Sequence, residues 1–222
     1  MPSGFIIVIV IGVIVAVAVG IYLSAQRRKE LAAWAHSHGL SFSSAKDHGM
    51  DERLGDFKCL HQGHSRYAYN IMEGLWAGAS MTAFDYHYAT GSGKNESDYH
   101  FSAVILQSSI PLKPLFIRRE GLFDKITEFF GHDDIDFESA EFSRTFYVRA
   151  PDKRWAYDVI HQRMMEYLMS AGNFSVQFDC GHVIAWTSRR ANPAGFEAAA
   201  ELIRGMLDRL PDYLVRQQTQ ET

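Results

Sequence analysis

Five stretches of this chain carry residues whose types and spacing suggest chemistry. Thr90-Gly91-Ser92-Gly93-Lys94 resembles part of a phosphate loop. Such a loop needs a glycine five residues before the second one, to turn backbone N–H groups onto phosphate, and Ser or Thr after the lysine to hold magnesium. Tyr88 and Asn95 occupy those places, and no helical pattern follows to point a positive dipole end at the anion. His61 and His64 have metal-ligand spacing but lack the third and fourth ligands that zinc needs. In the acidic run 132–138, a calcium loop starting at Asp134 would need Gly at the sixth position and a carboxylate at the twelfth. Ser139 and Thr145 stand there. Cys59 and Cys180 are not in a CxxC pair. Each has a histidine two residues on, a spacing that does not make a nucleophile–base pair. No G-x-S-x-G turn is present. We therefore expect no catalytic, cofactor or metal-binding residues.

Two arrangements remain. A hydrolase without a familiar motif would need several of Cys59, His61, His64, Asp85, His87, His100 and Cys180 to converge in one cleft. A binding module would instead present an apolar groove or aromatic face. Phe84, Tyr86, Tyr88, Tyr99 and Phe101 form a candidate aromatic cluster, expected to pack against the rest of the domain.

These side chains must be placed by a sheet. Met81–Tyr88 alternates, with Phe84, Tyr86 and Tyr88 on one face and Asp85 and His87 on the other. His100–Gln107 is apolar on both faces near its end and reads as a central strand. Residues 89–99 between them read as a hairpin loop. Arg66–Met72, Leu115–Arg118 and Arg144–Val148 are further strand candidates, and Val176–Cys180 and His182–Thr187 flank Gly181 as a tight hairpin. One helix is predicted over Asp152–Ala171. A last helix begins at Asn192-Pro193, with Phe196, Ala199, Ala200, Ile203, Leu207 and Leu210 on its apolar face. This order predicts an α+β fold, a mainly antiparallel sheet with helices packed on one face.

Ahead of the sheet, Phe5 to Leu23 carry no charged side chain. As a helix those residues span about 28 Å, close to the roughly 30 Å of bilayer hydrocarbon. Arg27, Arg28 and Lys29 follow, and nothing before them is charged. Lys and Arg next to a span stay cytoplasmic, which predicts an uncleaved single-pass anchor with the N-terminus outside and the body inside. A cleaved signal peptide would want its basic segment before the apolar run. Both cysteines would then be thiols in a reducing compartment. With Arg27, Arg28 and Lys29 set aside, the remaining 19 basic and 26 acidic residues give the body a charge of −7. Such a surface gains nothing from a phosphate backbone, so no nucleic-acid partner is expected. Gly12 and Gly20, eight apart on the span, would allow only weak pairing between spans.

The expected organisation is a short outer tail over 1–4, a transmembrane helix over 5–23, a juxtamembrane helix over 24–39, one cytoplasmic α+β domain over 40–211 and a polar tail over 212–222. Phe84-Asp85-Tyr86-His87-Tyr88, Phe116-Ile117-Arg118-Arg119-Glu120, Asp134-Ile135-Asp136-Phe137-Glu138 and Arg154-Trp155-Ala156-Tyr157-Asp158-Val159, taken as a set, resemble an uncharacterised family of bacterial proteins, often with an N-terminal membrane helix. The resemblance implies one domain and a bacterial source; it implies no activity and no site. The function expected is that of a membrane-anchored, non-enzymatic binding or scaffold module for other membrane proteins, in contact with the lipid bilayer through 5–23. The alternative is a membrane-tethered, hydrolase-like enzyme with a His/Asp/Cys site.

Overall fold

A computed structural model describes residues 2–121, 134–179 and 181–220. Its first element is one unbroken helix, α1, over Pro2–Ser37. The apolar run and the segment after Arg27 are thus a single rod. The half before Arg27 stands clear of the body, with Val8, Ile14 and Ile21 exposed; in the other half Leu31, Trp34 and Ala35 are buried. Trp34 faces the domain, 5.9 Å from Trp76 and 6.1 Å from Phe196 between ring centroids. The helix stops at Gly39, whose φ of 71° is left-handed. Gly39 N–H donates to His36 O at 3.1 Å and Leu40 N–H to Ala35 O at 2.9 Å. This paired closure ties off the last carbonyls and buries Leu40.

The strands are β1 (Ser41–Ser43), β2 (His64–Trp76), β3 (Ala79–Thr90), β4 (Ser97–Gln107), β5 (Leu115–Arg119), β6 (Phe146–Arg149), β7 (Ser175–Asp179) and β8 (His182–Thr187). They form one sheet in the order β1-β2-β3-β4-β8-β7-β5-β6, and every pairing is antiparallel. The fold is α+β. β4 lies between β3 and β8, as its two apolar faces require. The loop between β3 and β4 is shorter than its Gly-Ser-Asn composition predicts: the ladder runs to Thr90↔Ser97, and the phosphate-loop look-alike is its tip. β2 and β3 join through Ala77-Gly78, both at positive φ, a two-residue turn whose twist matches its strands.

The helices are α2 (Met50–Arg53), α3 (Ala140–Thr145), α4 (Lys153–Val159), α5 (Gln162–Ser170), α6 (Pro193–Leu207) and α7 (Asp212–Gln220). The helix expected over Asp152–Ala171 is two helices. Asp152 caps α4 by accepting from Trp155 N, and the chain breaks at Ile160–His161, where His161 takes an extended conformation before α5. Arg144 lies in α3, so β6 starts later than expected. Asn192 caps α6 by accepting from Gly195 N. Leu202, Ile203, Met206 and Leu210 are buried while Leu207 is only partly so, which shifts the apolar stripe of α6 from the expected one. Residues 212–220, expected to be a polar tail, are helical, and Leu214 is buried in the core.

Helices do not pack on one face alone. One core brings α1, α4, α5 and α6 against Met72, Ala83, Val104 and Ala185. The opposite face, with Phe84, Tyr86 and Phe101, is covered by Met50 of α2 and by Phe57, Cys59 and Leu60 in the turn after it. The aromatic cluster is therefore largely core. Tyr88 and Tyr99 continue it outward as a stacked pair, 5.1 Å apart, with Tyr99 exposed.

Candidate functional site

The face of β3 that carries Met81 and Ala83 stays apolar until Asp85, which is fully buried. A carboxylate there requires partners, and the fold supplies three from separate elements. Arg27 of α1 grips it as a fork: Nη2 lies 2.7 Å from Oδ1 and Nε 3.1 Å from Oδ2. Asn70 Nδ2 donates to Oδ2 at 2.9 Å, and Ser102 Oγ donates to Oδ1. Ser102 Oγ in turn accepts from Ala191 N at 2.8 Å, tying the chain that enters α6 to the same point. Asn70 reaches the carboxylate because β2 is irregular there. The register shifts between Tyr69 and Met72 and Asn70 takes a φ of 50°. Such a bulge places two residues opposite one and re-aims a side chain, and Asn tolerates the left-handed region better than most residues.

Beyond Asp85 the same face holds two histidines. His87 is buried and fixed at both nitrogens, Nδ1 against Ser65 O at 3.0 Å and Nε2 against Asp98 Oδ1 at 2.8 Å, with its ring stacked on Tyr67. His100 Nδ1 meets Tyr69 Oη at 3.0 Å. Burial, helped by His87 and Arg190, pushes the His100 imidazole below its usual range. Burial and the Asp85 carboxylate push the Tyr69 phenol up to about 12. Tyr69 therefore keeps its proton beside the His100 ring.

Above these groups, between α1, the 44–46 segment and β2, lies a cleft of about 380 Å³. Its rim carries Arg28, Lys46 and Arg190, and its floor Tyr69, Asn70 and His100. Ser24, the first residue after the apolar run, lines the side nearest the exposed half of α1. Lys46 Nζ sits 4.0 Å above the Tyr67 ring.

Of the described residues a hydrolase would need, Asp85, His87 and His100 come together, and Cys59, His61 and His64 do not. Cys59 is buried on the opposite face of the sheet. His61 Nε2 is 2.9 Å from Gly55 O, and His64 Nε2 is 2.9 Å from Gly91 O. Cys180, His132 and Asp133 lie outside the described residues. Asp134 closes a loop by accepting from Ile135 N and Val148 N. Among the described residues no three of His, Cys, Asp and Glu are placed to hold a metal ion. Asp85 has both oxygens taken and His87 both nitrogens, so neither offers a free lone pair or proton to a substrate. Arg27, counted in sequence with the lipid-facing cluster, is a structural ligand of Asp85. Asn70, Ser102 and Arg190 were not candidates. The one available signal was Asp85 itself, an acid in line with Met81 and Ala83 on a core-facing strand.

No family model matches the sequence, and no curated protein matches it. Among solved structures, the crystal structure of the mycobacterial trehalose monomycolate transport factor A, TtfA, matches with a TM-score of 0.59 over 82% of this chain and 92% of that chain, at 15% identity. At that identity the likeness is one of fold. α1 is long and apolar enough to cross a membrane.

Proposed function

We propose that this chain is a single-pass protein of a bacterial inner membrane, N-terminus outside, whose cytoplasmic domain is a non-enzymatic docking module for other membrane proteins. One observation carries this: α1 is continuous, bare and apolar before Arg27, and built into the core of the domain after it. A soluble protein gains nothing from some 20 exposed apolar residues, whereas a bilayer buries them at roughly 25 cal/mol per Å². The basic residues after the run favour the inward orientation of the body. Anchoring confines the domain to a thin layer and raises its effective concentration toward partners in the same membrane. The fold shared with TtfA, a trehalose monomycolate transport factor, supports a role in assisting a transport process. The saturated bonding of Asp85 and His87 supports a binding role over catalysis.

The test is crosslinking in intact cells with the full chain and with a form whose run 5–23 is replaced by a polar sequence. Specific proteins captured by the anchored form alone are the expected result. Equal capture by both forms refutes the docking role, and digestion of the domain by protease added outside sealed cells refutes the orientation.

A further inference from the structure

We infer that the cleft between α1 and β2 binds a phosphate-bearing headgroup that also carries a hydroxyl, as the anionic phospholipids of the inner leaflet do. The inference rests on the membrane placement proposed above and adds a ligand to it. Arg28, Lys46 and Arg190 converge on this cleft, and among the described residues none of the three forms an ion pair. On a chain with a net charge of −4, three unneutralised cations in one cleft of about 380 Å³ are a field aimed at an anion. Arg27 adds none to it, because its fork is taken by Asp85.

The second observation is Asn70. It lines the cleft, is 3% exposed, and its Oδ1 is buried with no hydrogen-bond partner. The amide cannot turn over to relieve this, since Nδ2 must face the Asp85 carboxylate. A buried acceptor without a donor is costly; it is closed to solvent, so a ligand hydroxyl satisfies it as the cleft side chains shift on binding. Cations for phosphate oxygens beside an acceptor for a hydroxyl specify a phosphate with a neighbouring alcohol. The height also fits. From Ser24 to Arg28 a helix rises about 6 Å, and a headgroup layer occupies about 5–7 Å on each side of the hydrocarbon.

The test uses the full chain in nanodiscs of phosphatidylcholine mixed with phosphatidylglycerol, followed by native mass spectrometry of the lipid retained on extraction. A parallel arm uses phosphatidylcholine discs with glycerol 3-phosphate in solution. Arg190→Gln and Lys46→Gln each remove one cleft charge, and Lys29→Gln removes one charge at similar depth outside the cleft. Wild type should retain phosphatidylglycerol over phosphatidylcholine. Either cleft variant should lose about tenfold in retention, the scale of one charge-assisted hydrogen bond, with Lys29→Gln close to wild type. Retention of glycerol 3-phosphate in place of the lipid, lost in the cleft variants, upholds the site with a soluble source. Equal retention of the two lipids, or equal loss in Lys29→Gln and the cleft variants, overturns the site. A chain that fails to float with liposomes overturns the membrane reading and with it the lipid source.

Discussion

Removing Arg27 should loosen the whole domain, although this residue lies only four positions past the apolar run. Its side chain is 19% exposed and that of Asp85 0%. Deleting one member of a buried pair costs about 3–5 kcal/mol, because the other is left charged and dry. The partial exposure of Arg27 puts Arg27→Met at the low end, about 3 kcal/mol. For a domain of this size each kcal/mol moves Tm by about 2–4 °C, so a fall of about 6–12 °C is expected. Asp85→Ala should cost a similar amount, since it strands Arg27, Asn70 and Ser102 together. The double variant should lose much less than the sum of the two, because the second change removes a group whose partner is already gone. The assay is thermal unfolding of the full chain in detergent followed by tryptophan fluorescence, with Trp34 and Trp76 reporting near the docked half of α1. Single variants within about 2 °C of wild type, or strictly additive losses, would refute the claim that this pair fastens α1 to the sheet.

Two further outcomes are expected. Ile203→Ala, at a fully buried position of α6, should cost about 2–5 kcal/mol. Leu207→Ala should cost clearly less, since that side chain is only partly buried; chemical denaturation of both variants ranks them, and the reverse order would discount the observed face of α6. Because burial holds His100 below the ordinary imidazole value of 6.5, the unfolded chain binds a proton more readily there. The stabilisation is full above that value and is lost as pH falls through it toward the folded value. Tm should therefore drop on acidification below about pH 6.5, and His100→Gln should flatten that part of the profile; an unchanged slope would remove His100 as its source.

The parts legible in sequence are those where one local rule dominates. Alternation in β3 separated Phe84, Tyr86 and Tyr88 from Asp85 and His87, and the Asn192-Pro193 cap fixed the start of α6. What escaped depends on two competing local rules or on distant partners. The stripe Ala156–Ile160–Met164–Leu168 has helical spacing, yet His161 turns away and its ring reaches Arg209 O at 2.9 Å, splitting the helix. The cover on the second face, Met50, Phe57 and Leu60, follows no period. The Asn70 bulge is set by a carboxylate fifteen residues away. Of the candidate site, Asp85 beneath the cleft and His100 in its lining are visible as residue types; Arg28, Lys46 and Arg190 lie apart in the chain and meet only through the fold.

The unbroken run of α1 through Leu23, Ser24 and Arg27 has a geometric corollary for the membrane placement proposed here. Each helical residue turns the rod by about 100° and lifts it by about 1.5 Å. With Arg27 clamped to Asp85, one residue inserted between Leu23 and Ser24 leaves the domain's contacts from Ser24 onward in place. It nevertheless swings the domain to a new compass bearing relative to whatever neighbours grip the span. The azimuth from which a neighbouring protein meets this sheet is thus written in the residue count of a short polypeptide stretch that touches no such neighbour itself.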